Sequence, residues 1–347
     1  MKSKSYITDC EGPLTLNDNA YELADYFIPD GGELFKTLSL YDDYLVDIVE
    51  KEGYKAGNTL KLILPFLLNA GVTNDDMVEF SRNNISVLKD SKELLNHIKK
   101  MMNHYIVSTS YGQYIEALSD YMDFPFENTF YTSVDVDVDM SNEEKESIEK
   151  FKNQILENPK DYDLFDKIFF EEIPKMSFYD SIKDVEVVGG EGKKKAIEKI
   201  ISDKNIDKNQ IFYIGDSITD VEPLKFAKNN DGISVSFNGN RYSINAAEIA
   251  IISESAIPSL LIADIYNEND KEEVLKFIEE YNSSNNIENI LKKYNITSEV
   301  KNKFLNTFNS NNYPIIKIID NDNFYDIVDE SSKMRNTIRG QKIGELG

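Results

Sequence analysis

Short apolar runs that each end on a polar or acidic residue constrain this chain more than any other feature. The first, Ser5-Tyr6-Ile7-Thr8, runs into Asp9 and Glu11 and is turned at once by Gly12-Pro13. Tyr105-Ile106-Val107 ends at Ser108-Thr109-Ser110. The run at 185–188 ends at Gly189-Gly190, and Gly192 leads into a basic helix over 193–201. Gln210-Ile211-Phe212-Tyr213-Ile214 closes on Gly215-Asp216-Ser217-Ile218-Thr219-Asp220. A further strand is read at 233–237 and an edge strand at 246–252, with helix-forming sequence between the runs. Strands alternating with helices predict a parallel sheet with crossover helices. In such sheets ligands gather at the carboxyl ends of the strands. Each of the four polar clusters falls at such an end or at the helix start beside it.

The stretches between these runs set the organisation. Residues 19–100 are mostly helical in pattern, with Tyr21, Leu23, Ala24 and Phe27, then Leu34, Leu38, Tyr41 and Leu45, at helix spacing. Asn74-Asp75-Asp76 is read as a helix cap. Residues 130–140 alternate as Val134-Asp135-Val136-Asp137-Val138-Asp139, the pattern of a strand with one apolar and one acidic face. Ser141-Asn142-Glu143-Glu144 marks a helix start, and the last ~90 residues are expected to be mainly helical. The expected fold is α/β: a doubly wound, parallel-sheet, Rossmann-like core over 1–16 and 100–254. A helical cap over 17–99 is inserted after the first strand, a second insertion lies at about 127–182, and a helical C-terminal extension covers 255–347.

Composition removes several function classes. The 347 residues carry 62 Asp+Glu against 38 Lys+Arg, a formal charge of −24. Binding to nucleic acid draws on Lys and Arg to displace counterions, so no nucleic-acid partner is expected. His97, His104 and Cys10 are too few for a His/Cys zinc site, and one Cys makes no internal disulfide. The first residues lack an apolar signal core, and the longest apolar run, 62–68, is broken by Pro65 and too short to span a bilayer. A soluble cytoplasmic protein with no membrane insertion is therefore expected. The oligomeric state is not legible.

Asp9, Glu11, Asp216 and Asp220 converging at sheet ends would make an oxygen-rich site suited to Mg²⁺. A carboxylate placed there is also a potential nucleophile, able to form an acyl phosphate. Phosphoryl transfer then requires a metal, a cation and hydroxyl or backbone donors around the transferred group, chemistry that Lys193 and Ser108 supply.

These clusters resemble the four motifs of the haloacid dehalogenase superfamily. Asp9-Cys10-Glu11-Gly12-Pro13-Leu14-Thr15 is similar to its usual first motif, D-x-D-G-T-L-T. Ile106-Val107-Ser108 matches the second, Gly192-Lys193-Lys194-Lys195-Ala196-Ile197 the third, and Gly215-Asp216-Ser217-Ile218-Thr219-Asp220 the fourth. The resemblance implies that Asp9 is the nucleophile and that the cofactor is Mg²⁺. The ion would be held by Asp9, the Glu11 carbonyl and Asp216, with Asp220 as ligand or support. It further implies that Ser108, Thr109 and Lys193 bind a phosphoryl group, and that the substrate is a small phosphorylated metabolite. Glu11 stands where the phosphatases of that superfamily usually carry an Asp general acid, and Pro13 stands where they carry Thr.

At finer grain, Cys10-Glu11-Gly12-Pro13-Leu14 and Ile233-Ser234-Val235-Ser236-Phe237-Asn238-Gly239-Asn240 resemble an archaeal methanogen branch, energy-converting hydrogenase A subunit R. That resemblance implies an alternative role, a non-catalytic or weakly catalytic accessory protein with a hydrogenase-complex partner. One feature stays outside both readings. Of four arginines, Arg335 and Arg339 form a local basic element near the C-terminal end of an acidic chain. It is expected to fold back onto an acidic face, to contact a partner, or to fray.

Overall fold

The computed structural model describes residues 4–51, 54–308 and 312–340. Its centre is a sheet of β1 (Ser5–Thr8), β2 (Asn103–Tyr111), β3 (Thr129–Thr132), β4 (Ile211–Gly215), β5 (Ile233–Phe237), β6 (Ile249–Ile252) and β7 (Ile315–Ile318). The strands lie in the order β3-β2-β1-β4-β5-β6-β7. All neighbours are parallel except β6 and β7. Strands β1, β4, β5 and β6 are buried at every position, as parallel strands covered on both faces must be. Side-chain alternation divides the faces. Tyr6, Ile106 and Phe212 point to one apolar cluster, shared with the helices Ser91–Met101 and Ile257–Glu268. Ile7, Val107 and Tyr213 point to another, shared with the helices Glu191–Lys204 and Val221–Asn229.

The chain leaves β1 into helices Asn19–Phe27, Gly31–Asp47, Thr59–Leu62, Leu64–Asn69 and Asn74–Asn84 before returning through Ser91–Met101 to β2. Asp18 caps the first of these, its carboxylate accepting from Tyr21 N–H at 3.1 Å. The helix at 74 is capped one residue earlier than the sequence suggests, by Thr73 in a reciprocal capping box with Asp76. Leu34, Leu38, Phe66 and Leu67 share one apolar cluster with Ile148, Ile155, Phe165 and Phe169 from the segment after β3. The two inserted segments therefore bury their apolar faces against each other.

Three expectations need correction. The strand read at 130–140 is paired only over Thr129–Thr132. Beyond it Val136 and Met140 are still buried and Val134 and Val138 half-buried, but against the cap helices. Asp135 and Asp137 accept instead from the side chain and backbone N–H of Asn74, at 2.7 and 2.9 Å. Alternation reported burial on one side correctly, and the partner is a helix end instead of a strand. The run at 185–188 is no strand either. Both edges of β4 are taken by β1 and β5, and the exposed Asp184 and Glu186 interrupt an only half-buried apolar run. The third concerns the extension. It is mainly helical, yet it contributes β7, which pairs antiparallel with β6 from Ile249↔Ile318 to Ile252↔Ile315, so β6 is not the edge. Among the described residues, no helix is long and apolar enough to cross a membrane.

Candidate active site

The carboxyl ends of β1, β2 and β4 meet at one place. Its floor is formed by the first residues after β1 and β4 and by the last residues of β2, which runs three residues beyond the expected end at Ser108. Asp9 N–H donates to the Ile214 carbonyl at 2.9 Å, continuing the β1–β4 ladder to the point where the chains part. The Asp9 carboxylate is 5% exposed; Oδ1 accepts from Cys10 N–H at 2.7 Å and Oδ2 lies 2.8 Å from Lys193 Nζ. Lys193, one turn into the helix Glu191–Lys204, also meets Asp220 Oδ1 at 2.7 Å. Two glycines allow this convergence. Gly12 has φ +98°, and a Cβ there would lie 2.4 Å from the Asp216 carboxylate carbon. A Cβ at Gly215 would lie 2.3 Å from that of Asp220.

Asp216 and Asp220 differ in their freedom. Asp220 is fully buried. Its Oδ1 accepts from Lys193 and from the Tyr213 hydroxyl at 2.6 Å, and its Oδ2 from the N–H groups of Asp216 and Ser217 at 2.9 and 3.0 Å. So many donors make it a support for its neighbours. Asp216 Oδ2 is engaged by Arg335 and Arg339. Ligand oxygens of Asp9, Asp216 and Asp220 all lie within 4.8 Å of one another, a buried group of hard donors of the kind that suits Mg²⁺.

The β2 side supplies hydroxyls. Pairing of β2 with β3 shifts register between Val107 and Tyr111, so the ladder is irregular where Ser108, Thr109 and Ser110 pass the site. Ser108 Oγ donates to Ser110 Oγ at 3.0 Å and accepts from Ser110 N–H at 3.1 Å. Thr109 Oγ1 is buried with no hydrogen-bond partner. Glu11 Oε1 accepts from Asn19 N–H at 2.8 Å, at the start of the first cap helix. These residues line a cavity of about 110 Å³, roofed from the cap side by Phe35, Asp42 and Thr59.

Burial governs the proton affinities. Burial and the charge of Asp220 push the Asp9 carboxyl well up, against the opposing pull of Lys193. Burial and Asp18 push Glu11 well up, against the Asn19 N–H and Arg339. Burial would lower Lys193, but Asp220 and Asp9 outweigh it and keep the ammonium charged. Burial would raise Asp220, but Lys193 outweighs it and holds the carboxylate ionised. The structure thus brings Asp9, Glu11, Ser108, Thr109, Lys193, Asp216 and Asp220 to one cavity or directly beneath it. Sequence reasoning missed Tyr213 and the cap residues, and it did not attach Arg335 and Arg339 to this place; their only signal was two arginines four apart on an acidic chain.

A family model for haloacid dehalogenase-like hydrolases matches residues 55–236, just over half of the chain. The protein belongs to the haloacid dehalogenase-like hydrolases. A search of curated proteins gives no match. Among solved structures, a gene product of Archaeoglobus fulgidus, AF1437, is similar to this hydrolase over 99% of both chains, with 27% identity and a TM-score of 0.82. A substrate-bound phosphoserine phosphatase shares the fold over 75% of this chain and 98% of its own, with 16% identity and a TM-score of 0.50. The Archaeoglobus protein therefore shares the whole architecture of this hydrolase, including the elements that follow β6.

Proposed function

We propose that this hydrolase is a Mg²⁺-dependent phosphatase of a small phosphorylated metabolite, acting through a phospho-Asp9 intermediate. The observation that carries the reading is the Asp9 carboxylate. It is buried, fixed by Lys193 on one oxygen and by Cys10 N–H on the other, at a cavity that also holds Ser108, Thr109 and Glu11. An Asp9 oxygen attacks phosphorus, the bond to the leaving oxygen breaks, and Glu11 gives that oxygen a proton. Water then attacks the acyl phosphate, the bond to Asp9 breaks, and Glu11 takes the water proton as inorganic phosphate leaves. Ser108, the unpartnered Thr109 hydroxyl and Lys193 hold the phosphoryl oxygens.

The residues present fit Mg²⁺. Asp9, Asp216 and the Glu11 carbonyl would hold it, with Asp220 supporting them, and a bound ion would neutralise charge on the phosphoryl oxygens. The small cavity under the cap matches a compact substrate, and the cap excludes water and selects the leaving group. A phosphatase panel with and without Mg²⁺, comparing wild type with Asp9→Asn, tests the reading. Metal-dependent phosphate release lost in the variant is expected, and hydrolysis unchanged in the variant would sink the mechanism. No turnover on any substrate, with hydrogenase subunits copurifying, would favour the accessory role implied by the resemblance at 10–14 and 233–240.

A further inference from the structure

Two arginines from the far end of the chain enter this site. The helix Phe324–Arg339 turns Ile327, Ser331 and Arg335, spaced by four, onto the core, and Arg339 continues the stripe. Ser331 Oγ donates to the Gly239 carbonyl at 2.6 Å, just past the end of β5. Arg335 is 3% exposed. Besides its ion pair with Asp216 Oδ2, its Nη1 lies 3.4 Å from the Asp216 carbonyl and 3.5 Å from that of Asn238. Arg339 donates from Nε to the Leu16 carbonyl at 3.2 Å and from Nη2 to the Asn17 carbonyl at 2.6 Å, while Nη1 meets Asp216 Oδ2 at 3.3 Å. Backbone carbonyls therefore station both guanidiniums. They are fixed charges, and the Asp216 carboxylate leans on them.

Their location matters because of what surrounds it. Asp9, Glu11 and Asp216 line the cavity from the core and Asp18, Asp42 and Asp43 from the cap, Asp220 lies beneath, and Lys193 is already paired with Asp9 and Asp220. An acidic site of this kind attracts a divalent cation readily and repels a phosphate dianion, and both effects are strong where water is excluded. We propose that Arg335 and Arg339 are positioning residues that set the charge balance of the site. They offset the carboxylate excess so that an oxyanion is admitted, and they engage one Asp216 oxygen so that the other is left for the cation. The inference rests on the phosphatase reading and adds to it a control of ligand sign by the C-terminal helix.

The charge role has a signature that a packing role lacks: loss of an arginine moves cation and anion affinity in opposite directions. In the full chain, Arg335→Met should bind Mg²⁺ alone several-fold more tightly by calorimetry. It should bind inorganic phosphate, at saturating Mg²⁺, about tenfold more weakly. Arg335→Lys should restore both, and Arg339→Gln should move both with the same signs and smaller size. Where Arg335→Met fails to fold, Arg339→Gln decides. Both ligands weakened together, or neither moved, overturns the inference while leaving the phosphatase reading intact. A wild-type protein that binds neither Mg²⁺ nor phosphate overturns the phosphatase reading, and the inference falls with it.

Discussion

Glu11 holds its proton more firmly than a solvated glutamate because it is largely desolvated and lies beside the Asp18 charge, and Asn19 N–H and Arg339 only partly offset this. A carboxyl that keeps its proton above the ordinary glutamate range is suited to protonate a leaving alkoxide. Glu11→Gln should therefore lower kcat on alkyl phosphates by about 10²–10⁴ and on p-nitrophenyl phosphate far less, since that leaving group departs without a proton. In wild type the alkyl-phosphate rate should fall as pH rises through the raised Glu11 pKa, and steady-state pH profiles should show that limb missing in the variant. Asp220 predicts a different outcome. Five donors converge on its carboxylate, so Asp220→Asn leaves the buried Lys193 with Asp9 alone and breaks this network, and it should cost about 3–5 kcal/mol by denaturant unfolding. Asp9, Lys193 and Asp216 were legible in the sequence because each sits at a strand end or helix start within a short local pattern. Ser108 stands out as well, but the strand it is expected to close runs on to Tyr111 past a register shift. Arg335 was not legible, because nothing local tells where a distant helix docks.

Elements place these side chains, and the tight ones tolerate little change. The turn after β1 passes so close to Asp216 that Gly12→Ala combines a positive φ with a collision. It should destabilise the protein by about 2 kcal/mol or more and weaken Mg²⁺ binding, measured by thermal melting and calorimetry. The sheet itself was readable, since β1, β2, β4 and β5 are apolar runs closed by turn residues. Alternation at 133–140 misled for a physical reason: a period of two reports a chain with one face buried, and helix ends bury a face as well as strands do. In β7 the run Ile315-Ile316-Lys317-Ile318 carries a similar mark, β-branched and closed by Asp320-Asn321-Asp322, but it lies within a stretch that reads as helical. Its residues pair because β6 offers a free edge and the helices before β7 return the chain there.

At the scale of the molecule, the site is a concentration of buried charge within a chain of net charge −24. Asp9, Glu11 and Asp18 all bind protons more tightly folded than unfolded. As pH rises above the ordinary carboxylate range, the unfolded chain releases protons that the native state retains, so stability falls with pH. Asp220 acts in the opposite sense, its contribution lost only as pH falls through its lowered pKa. Without Mg²⁺ the melting temperature should therefore decline between about pH 5 and pH 8, and saturating Mg²⁺ should flatten or reverse the slope. Arg339 meets the carbonyls of Leu16 and Asn17, 323 and 322 positions earlier in the chain. A ribosome therefore releases the nucleophile loop more than 300 residues before these arginines. Over the later part of that interval the nascent chain carries Asp216 without the two guanidiniums that engage it, and a long-range contact must close before the charge balance is complete. A product clipped before residue 324 would keep every motif but lose both guanidiniums, and by the same charge argument it should bind Mg²⁺ more tightly and phosphate more weakly than the full chain.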